Sequence, residues 1–223
     1  MDRTIARVGS WAGLISVAGI AGYHLMLQLI AGQRVSGTTD ETAIVAYYQN
    51  ANIALLGVEQ FLVLVPVLVF FVALREVIGL DRWTRFLATI ALAAGIAEVP
   101  AVLVEISAQA ALVVGAKHGD AVVPLFRFWD VLYNSGIYVL EATWVVAFGL
   151  AMRANVGLPR WLFGWSMLTG ALLAINVGAI WIGIPDPATL PSAVALVVWF
   201  VGASLGLRRL GTAAQPLRQP SAA

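Results

Sequence analysis

Apolar blocks of about 20 residues or more repeat along the chain, and shorter polar connections separate them. A helix of ~20 apolar residues crosses a hydrocarbon core ~30 Å thick and satisfies its own backbone hydrogen bonds there. The pattern therefore predicts an all-α, polytopic bundle of six transmembrane helices within residues 1–210. The predicted helices span residues 10–31, 53–74, 86–114, 122–152, 159–184 and 190–207, and the Pro-containing segment 211–223 is predicted to be a disordered cytoplasmic tail.

The only sizeable polar connection covers residues 34–50, between the first two predicted helices. Thr38 and Glu41 have the spacing of a capping box, and residues 43–48 are predicted to form a short helix. Tyr47 and Tyr48 would then lie at the level of the lipid headgroups. The segment is interpreted as a connector, with a lid as the alternative.

Composition supports a membrane protein, because 61% of the residues are hydrophobic and 11% are charged. In soluble domains, about 45–50% of the residues are hydrophobic and about 25% are charged. The net charge is only +1 and no Gly-rich phosphate loop is present, so the lipid bilayer, not nucleic acid, is the expected partner. The chain has no Cys, which excludes disulfides and thiolate chemistry.

The distribution of Lys and Arg predicts the orientation of the helices. Ten of the 13 basic residues fall on one side of the predicted membrane: Arg3, Arg7, Arg75, Arg82, Arg85, Arg153, Arg160, Arg208, Arg209 and Arg218. Basic residues concentrate in cytoplasmic connections. Both termini are therefore predicted to be cytoplasmic, which agrees with an even number of spans, and the expected location is a plasma membrane.

Two of these basic turns, 75–83 and 153–161, resemble each other at an offset of 78 residues. They are interpreted either as the remains of a duplicated helix hairpin or as two unrelated cytoplasmic turns that share the usual features of such turns. These features are a Gly at a helix end, basic residues on the cytoplasmic side and a Trp at the interface. The first, third and fifth predicted helices are rich in Gly and Ala, and we expect them to pack at the centre of the bundle.

The segment 125–144 is apolar in general but carries Arg127, Asp130, Asn134 and Glu141. At about 100° per residue, these side chains fall within about 60° of one helical face. Charged groups in a membrane helix face protein or water, so this face predicts a polar interior. Arg127 and Asp130 are three residues apart and are expected to form a local pair that acts as a gate or strut.

Other polar residues are predicted at a similar depth in the outer half of the membrane. At ~1.5 Å per residue, His24, Glu98 and Asn176 lie about 20 Å from the Trp residue that opens each helix. Glu59 and Glu141 reach the same layer from the returning helices. The predicted ligand- or proton-binding residues are Glu59, Glu98, Glu141, Arg127, Asp130, Asn134, His24 and Asn176.

Intramembrane acids, which also include Glu105, outnumber the cations in this layer. A buried carboxylate without a cationic partner binds a proton or takes a cation from outside the protein. The leading hypothesis is therefore small-solute or proton-linked transport or binding. In the alternative, an accessory or scaffold protein, the same groups are interhelical hydrogen bonds worth roughly 0.6–2 kcal/mol each.

A third hypothesis is a membrane-embedded enzyme acting on lipid, which would require Ser135 and His24 to meet in space. The sequence favours a protein without enzymatic activity, and no catalytic residue is assigned. No metal site and no cofactor are predicted, because the Glu-x-x-His and His-Glu-x-x-His spacings do not occur.

The six predicted spans, the Ala- and Val-rich helices and the turn Gly-Leu-Pro-Arg-Trp at 157–161 also suggest a family. In these features the chain resembles uncharacterised six-helix integral membrane proteins of high-GC bacteria that share a domain of unknown function. The resemblance implies a multi-pass protein of a bacterial plasma membrane, and it implies no activity.

Overall fold

A computed structural model describes residues 2–31, 39–49, 53–154, 157–184 and 189–212, without the side chains of residues 23–31, 53–62 and 189. Every regular element in these ranges is helical. The helices are α1 (Arg3–Ala31), α2 (Glu41–Tyr48), α3 (Ile53–Ile78), α4 (Arg82–His118), α5 (Val123–Val131), a π-helical turn (Leu132–Ile137), α6 (Tyr138–Arg153), α7 (Trp161–Trp181) and α8 (Thr189–Thr212).

Five segments within the described residues are long and apolar enough to cross a membrane. They are Arg3–Gly22, Arg82–His118, Val123–Arg153, Trp161–Trp181 and Leu190–Thr212. The protein is therefore a helical membrane protein. Helix α8 continues to Thr212, so the predicted tail from residue 211 starts too early, and residues 213–223 lie outside the described part of the chain.

Several helices differ in length from their predicted spans. Helix α1 begins at Arg3 instead of near residue 10, and α4 begins at Arg82 instead of near residue 86. Hydropathy marks only the apolar part of a helix, whereas the backbone remains helical into the charged ends. The C-terminal end of α4 is Gly119 in the left-handed conformation, with φ of 79°, which stops the helix.

The long helices form a closed ring. Helix α1 packs between α3 and α8, α4 packs between α3 and α6, and α7 packs between α6 and α8. Aromatic side chains of α3, α6 and α8 fill the centre of this ring: Phe70, Phe71, Trp144, Phe148, Trp199 and Phe200. The ring centroids of Phe71 and Trp144 are 4.8 Å apart, and those of Trp144 and Trp199 are 5.2 Å apart.

This arrangement differs from the expected central packing of the Gly- and Ala-rich helices. Small residues instead lie where a neighbouring helix presses on the backbone. A Cβ atom on Gly95 would lie 2.4 Å from the Phe71 ring, and one on Gly13 would lie 2.1 Å from Ser204 Oγ. Bulky aromatic groups fill the centre, so the adjacent helices need small residues at the contact points.

The N-terminus of α4 carries a capping box. Asp81 accepts hydrogen bonds from the amides of Trp83 and Thr84 at 2.8 and 2.9 Å, and Thr84 Oγ1 accepts one from the Asp81 amide at 3.1 Å. These bonds satisfy amides that have no partner within the helix. The hydrogen bond from the Thr84 amide is the main cause that holds the pKa of Asp81 below its usual value of 3.8.

Helix α2 begins at Glu41, and its N-cap is Asp40, which accepts a hydrogen bond from the Thr42 amide at 3.1 Å. Thr38, the expected partner of Glu41, lies outside the described residues. Tyr48 was expected at the headgroup level but is only 2% exposed. It packs in a cluster with Leu112 of α4 and Phe126 of α5, because α2 lies against these two helices.

Candidate functional site

A cavity of about 170 Å³ lies inside the ring, beside the central aromatic cluster. Helices α3, α4, α6 and α8 and the π-helical turn form its wall, together with Ile20 of α1. The polar groups on the wall belong to Glu98, Glu105, Tyr133, Tyr138, Glu141, Trp144 and Ser192. The described lining residues include no Lys, Arg or His. The cavity is thus apolar over most of its surface and acidic in its charged groups.

Glu98 reaches the cavity from the middle of α4. The indole Nε1 of Trp144 donates a hydrogen bond to Glu98 Oε2 at 2.7 Å. Trp144 itself is buried and packs in the aromatic cluster. One oxygen of Glu98 is therefore held by a fixed donor on the neighbouring helix.

Glu141 lines the cavity from α6, one turn after Tyr138. Its Oε2 is buried and has no hydrogen-bond partner among the described residues. Its carboxyl group also interacts electrostatically with that of Glu98. Two carboxylates in a water-poor site repel each other strongly when both are ionised, so a proton or a cation from outside stabilises the pair.

Glu105 is a third acid of the cavity wall, but its surroundings differ. Trp129 Nε1 donates to Glu105 Oε1 at 2.6 Å, and Gln109 Nε2 donates to the same oxygen at 2.7 Å. The residue is 1% exposed. The bond from Trp129 joins α5 to α4, and the bond from Gln109 lies within α4, so this carboxyl group has a structural role.

The predicted polar face of 125–144 is not continuous in the structure. Arg127 is 64% exposed and forms a salt bridge of 3.1 Å with Glu41 of α2. Asp130 is buried and accepts a hydrogen bond from Asn134 Nδ2 at 3.0 Å. The expected pair of Arg127 with Asp130 is therefore replaced by two separate contacts, because Arg127 extends from the middle of α5 toward Glu41 of α2.

The π-helical turn Leu132–Ile137 explains why Glu141 does not share a face with Arg127. A π turn holds about one residue more than an α turn. Residues that follow it are rotated by roughly 100° from the positions that uniform helical spacing predicts. Glu141 therefore faces the cavity, while Asn134, within the turn, stays buried beside Asp130.

Asn176 lies behind the wall of the cavity instead of on it. Its Nδ2 donates to Ser192 Oγ at 3.3 Å, and Ser192 is a lining residue. The side chains of His24 and Glu59 lie outside the described residues, so their place in this site stays a prediction. The helices that carry them border the cavity through Ile20 of α1 and Val63 of α3.

The sequence interpretation missed the aromatic part of the wall. Tyr133, Tyr138 and Phe200 line the cavity together with Trp144. Tyr138 lies three residues before Glu141, which is the spacing of neighbours on a helix, and this was an available signal. Within the described residues, no group of three His, Asp or Glu side chains is arranged to hold a metal ion.

No protein-family model matches the chain, and no curated protein and no solved structure is significantly similar to it. Its function is therefore inferred from the geometry of this cavity.

Proposed function

We propose that the protein handles a small solute in a proton-linked manner and that Glu98 and Glu141 are the groups that exchange the proton. The observation that carries this proposal is the buried Glu141 Oε2, which has no hydrogen-bond partner in the described part of the chain and lies on the same cavity as a second carboxyl group. A purely structural acid has its oxygen atoms paired, as Glu105 has for Oε1. Glu141 is available to a proton or a ligand.

The described groups around this pair include no Lys, Arg or His side chain. Helix α4 contributes Glu105, the π-helical turn contributes Tyr133, α6 contributes Tyr138, and α8 contributes Ser192. Helices α1 and α3 are predicted to add His24 and Glu59. The pair of Glu98 and Glu141 carries one negative charge when one proton is bound to it. When that proton leaves, the pair carries two negative charges, and a bound cation must compensate the added charge. Alternation between the two states links solute binding to proton release.

We propose six spans with both termini in the cytoplasm of a bacterial cell and a plasma-membrane location. Helix α3, with 26 residues, is long enough to be the sixth span beside the five apolar segments. The ten basic residues of the predicted cytoplasmic side support this orientation. Transport across that membrane is the function we propose for the cavity.

Infrared difference spectroscopy of the full chain in detergent tests the proton exchange. The C=O stretching band of protonated carboxyl groups is followed from about pH 5 to about pH 9, the range over which buried carboxyl groups titrate. We expect a pH-dependent band in the wild type that is lost or shifted in Glu98→Gln and in Glu141→Gln. Glu76→Gln is the matched control, because Glu76 is exposed and pairs with Arg75 outside the cavity.

The accessory or scaffold function remains the second candidate, because Trp144 to Glu98, Trp129 to Glu105 and Asn176 to Ser192 are all interhelical hydrogen bonds. It predicts that both cavity variants keep the wild-type spectrum. An identical pH-dependent band in the wild type, Glu98→Gln, Glu141→Gln and Glu76→Gln would therefore contradict proton exchange and favour the scaffold.

A further inference from the structure

We infer that the ligand of this cavity is a compact organic amine bound as its ammonium ion, of about the size of a single aromatic ring with a short arm. This inference rests on the proposed function and names its solute. It follows from three properties of the wall: its charge, its apolar surface and its volume.

The charge of the wall selects a cation. Glu98 and Glu141 share the cavity, and its described lining residues contain no Lys, Arg or His. A neutral solute, even one with an O–H donor, would leave the negative charge of the ionised pair without compensation, and an anion would add a third negative charge beside the pair. An ammonium group supplies N–H donors to the free oxygen and offsets the charge of the ionised pair.

The apolar surface argues against an inorganic cation. Hard metal ions take six to eight oxygen ligands, and ions of this kind give up their water only for such a shell. Among the described residues, no group of three His, Asp or Glu side chains is arranged to hold a metal ion, and aliphatic side chains such as Val67 and Leu196 form much of the wall. An organic cation buries its hydrocarbon against these groups and needs only one or two charged contacts.

Aromatic rings complete the site for an ammonium ion. Tyr133, Tyr138, Trp144 and Phe200 all line the cavity, and the centroids of the two tyrosine rings are 5.6 Å apart. The faces of aromatic rings attract cations, and this attraction grows when water is excluded. The indole of Trp144 also donates a hydrogen bond to Glu98, so an acid and an aromatic ring of the wall are in direct contact.

The volume sets the size of the ligand. An apolar cavity of about 150 Å³ holds one benzene molecule. The cavity here measures about 170 Å³, which leaves space for one ring with a methylene and an ammonium group. Benzylamine has this composition, and benzyl alcohol is its neutral counterpart of nearly equal shape. In the exchange, the bound ammonium ion replaces one proton of the Glu98 and Glu141 pair, and that proton leaves to solvent.

Calorimetric titration of the full chain in detergent tests this inference, with benzylamine and benzyl alcohol as the probes. Titration in two buffers of different ionisation enthalpy counts the protons released for each ligand bound. We expect saturable binding of benzylamine with proton release in the wild type and in Glu76→Gln. Benzyl alcohol should bind the wild type at least tenfold more weakly, and Glu141→Gln should weaken benzylamine binding at least tenfold.

Equal binding of benzylamine and benzyl alcohol to the wild type would overturn the inference, and this comparison does not require any variant to fold. Absence of saturable benzylamine binding would overturn it as well. If infrared spectra then still show proton exchange at Glu98 and Glu141, the ligand class is wrong and the proposed function stands. Benzylamine binding that depends on Glu141 but releases no proton would support the ligand class and contradict the proton linkage.

Discussion

Glu105 and Glu141 lie on the wall of the same cavity, yet their surroundings are opposite. Glu105 Oε1 accepts hydrogen bonds from both Trp129 and Gln109. Glu141 Oε2 is buried beside the carboxyl group of Glu98, and no described residue forms a hydrogen bond with it. Both residues are acids within membrane helices, so the residue type alone does not separate structural from functional groups. The hydrogen-bond partners of the carboxyl oxygen atoms distinguish Glu105 from Glu141.

The difference shows that one fold places the same residue type in two environments. Around Glu105, indole and amide donors from two helices compensate the loss of hydration, and the acid stabilises the contact of α4 with α5. Around Glu141, the described residues supply no donor to the buried Oε2, and a buried acceptor without a donor costs stability. Such a cost is typical of a position kept for a ligand or a proton.

The largest effect on stability is expected from Glu105→Leu. The change removes the acceptor of two buried donors, Trp129 Nε1 and Gln109 Nε2, and each unsatisfied donor costs about 1–3 kcal/mol. We expect the free energy of unfolding in detergent to fall by about 2–4 kcal/mol. Glu105→Gln keeps an acceptor oxygen and is the control, with a smaller loss. Wild-type stability of Glu105→Leu would show that these bonds do not hold α4 to α5.

A smaller effect is expected from Trp144→Phe, which keeps an aromatic ring but removes the donor to Glu98 Oε2. We expect a loss of about 1–2 kcal/mol in the free energy of unfolding and a shift of the carboxyl band in infrared spectra. Trp165→Phe is the matched control, because Trp165 Nε1 donates to the backbone oxygen of Ala195 instead of an acid. It should cost a similar amount and leave the carboxyl band unchanged. The same band shift in both variants would contradict a direct effect on Glu98.

The pattern of hydropathy was sufficient for the helical class but not for the site. Apolar runs are local, so they predict where helices lie, and five of them appear as long apolar segments in the structure. The bond from Trp129 to Glu105 joins residues that are 24 positions apart, and no helical periodicity encodes it. The prediction also placed Arg127 and Glu141 on one helical face, because it assumed uniform α-helical spacing. The structure has a π-helical turn between these two residues.

Asp81 offers a third kind of acid, exposed to water and bonded to backbone amides. The amide of Thr84 is the main cause that lowers its pKa from 3.8, so its ionised form stabilises the folded state. This contribution is complete above pH 3.8 and is lost as the pH falls through the lower pKa of the folded protein. We expect the melting temperature of the wild type to exceed that of Asp81→Ala at neutral pH, and the difference to shrink in acid. A difference that persists unchanged at low pH would contradict capping by the ionised form.

The smallest effect on stability, and the sharpest contrast with Glu105→Leu, is expected from Glu141→Leu. The substitution removes Glu141 Oε2, a buried acceptor for which the described residues supply no donor, and leucine fills a similar space on an apolar wall. Replacement of an unpaired polar group by an apolar one is nearly neutral or stabilising. We expect the free energy of unfolding to change by no more than about 0.5 kcal/mol, or to increase. Chemical unfolding of Glu141→Leu beside Glu105→Leu provides the measurement. Equal losses in the two variants would mean that Glu141 also holds the bundle together, and the distinction between a structural and an available acid would fail.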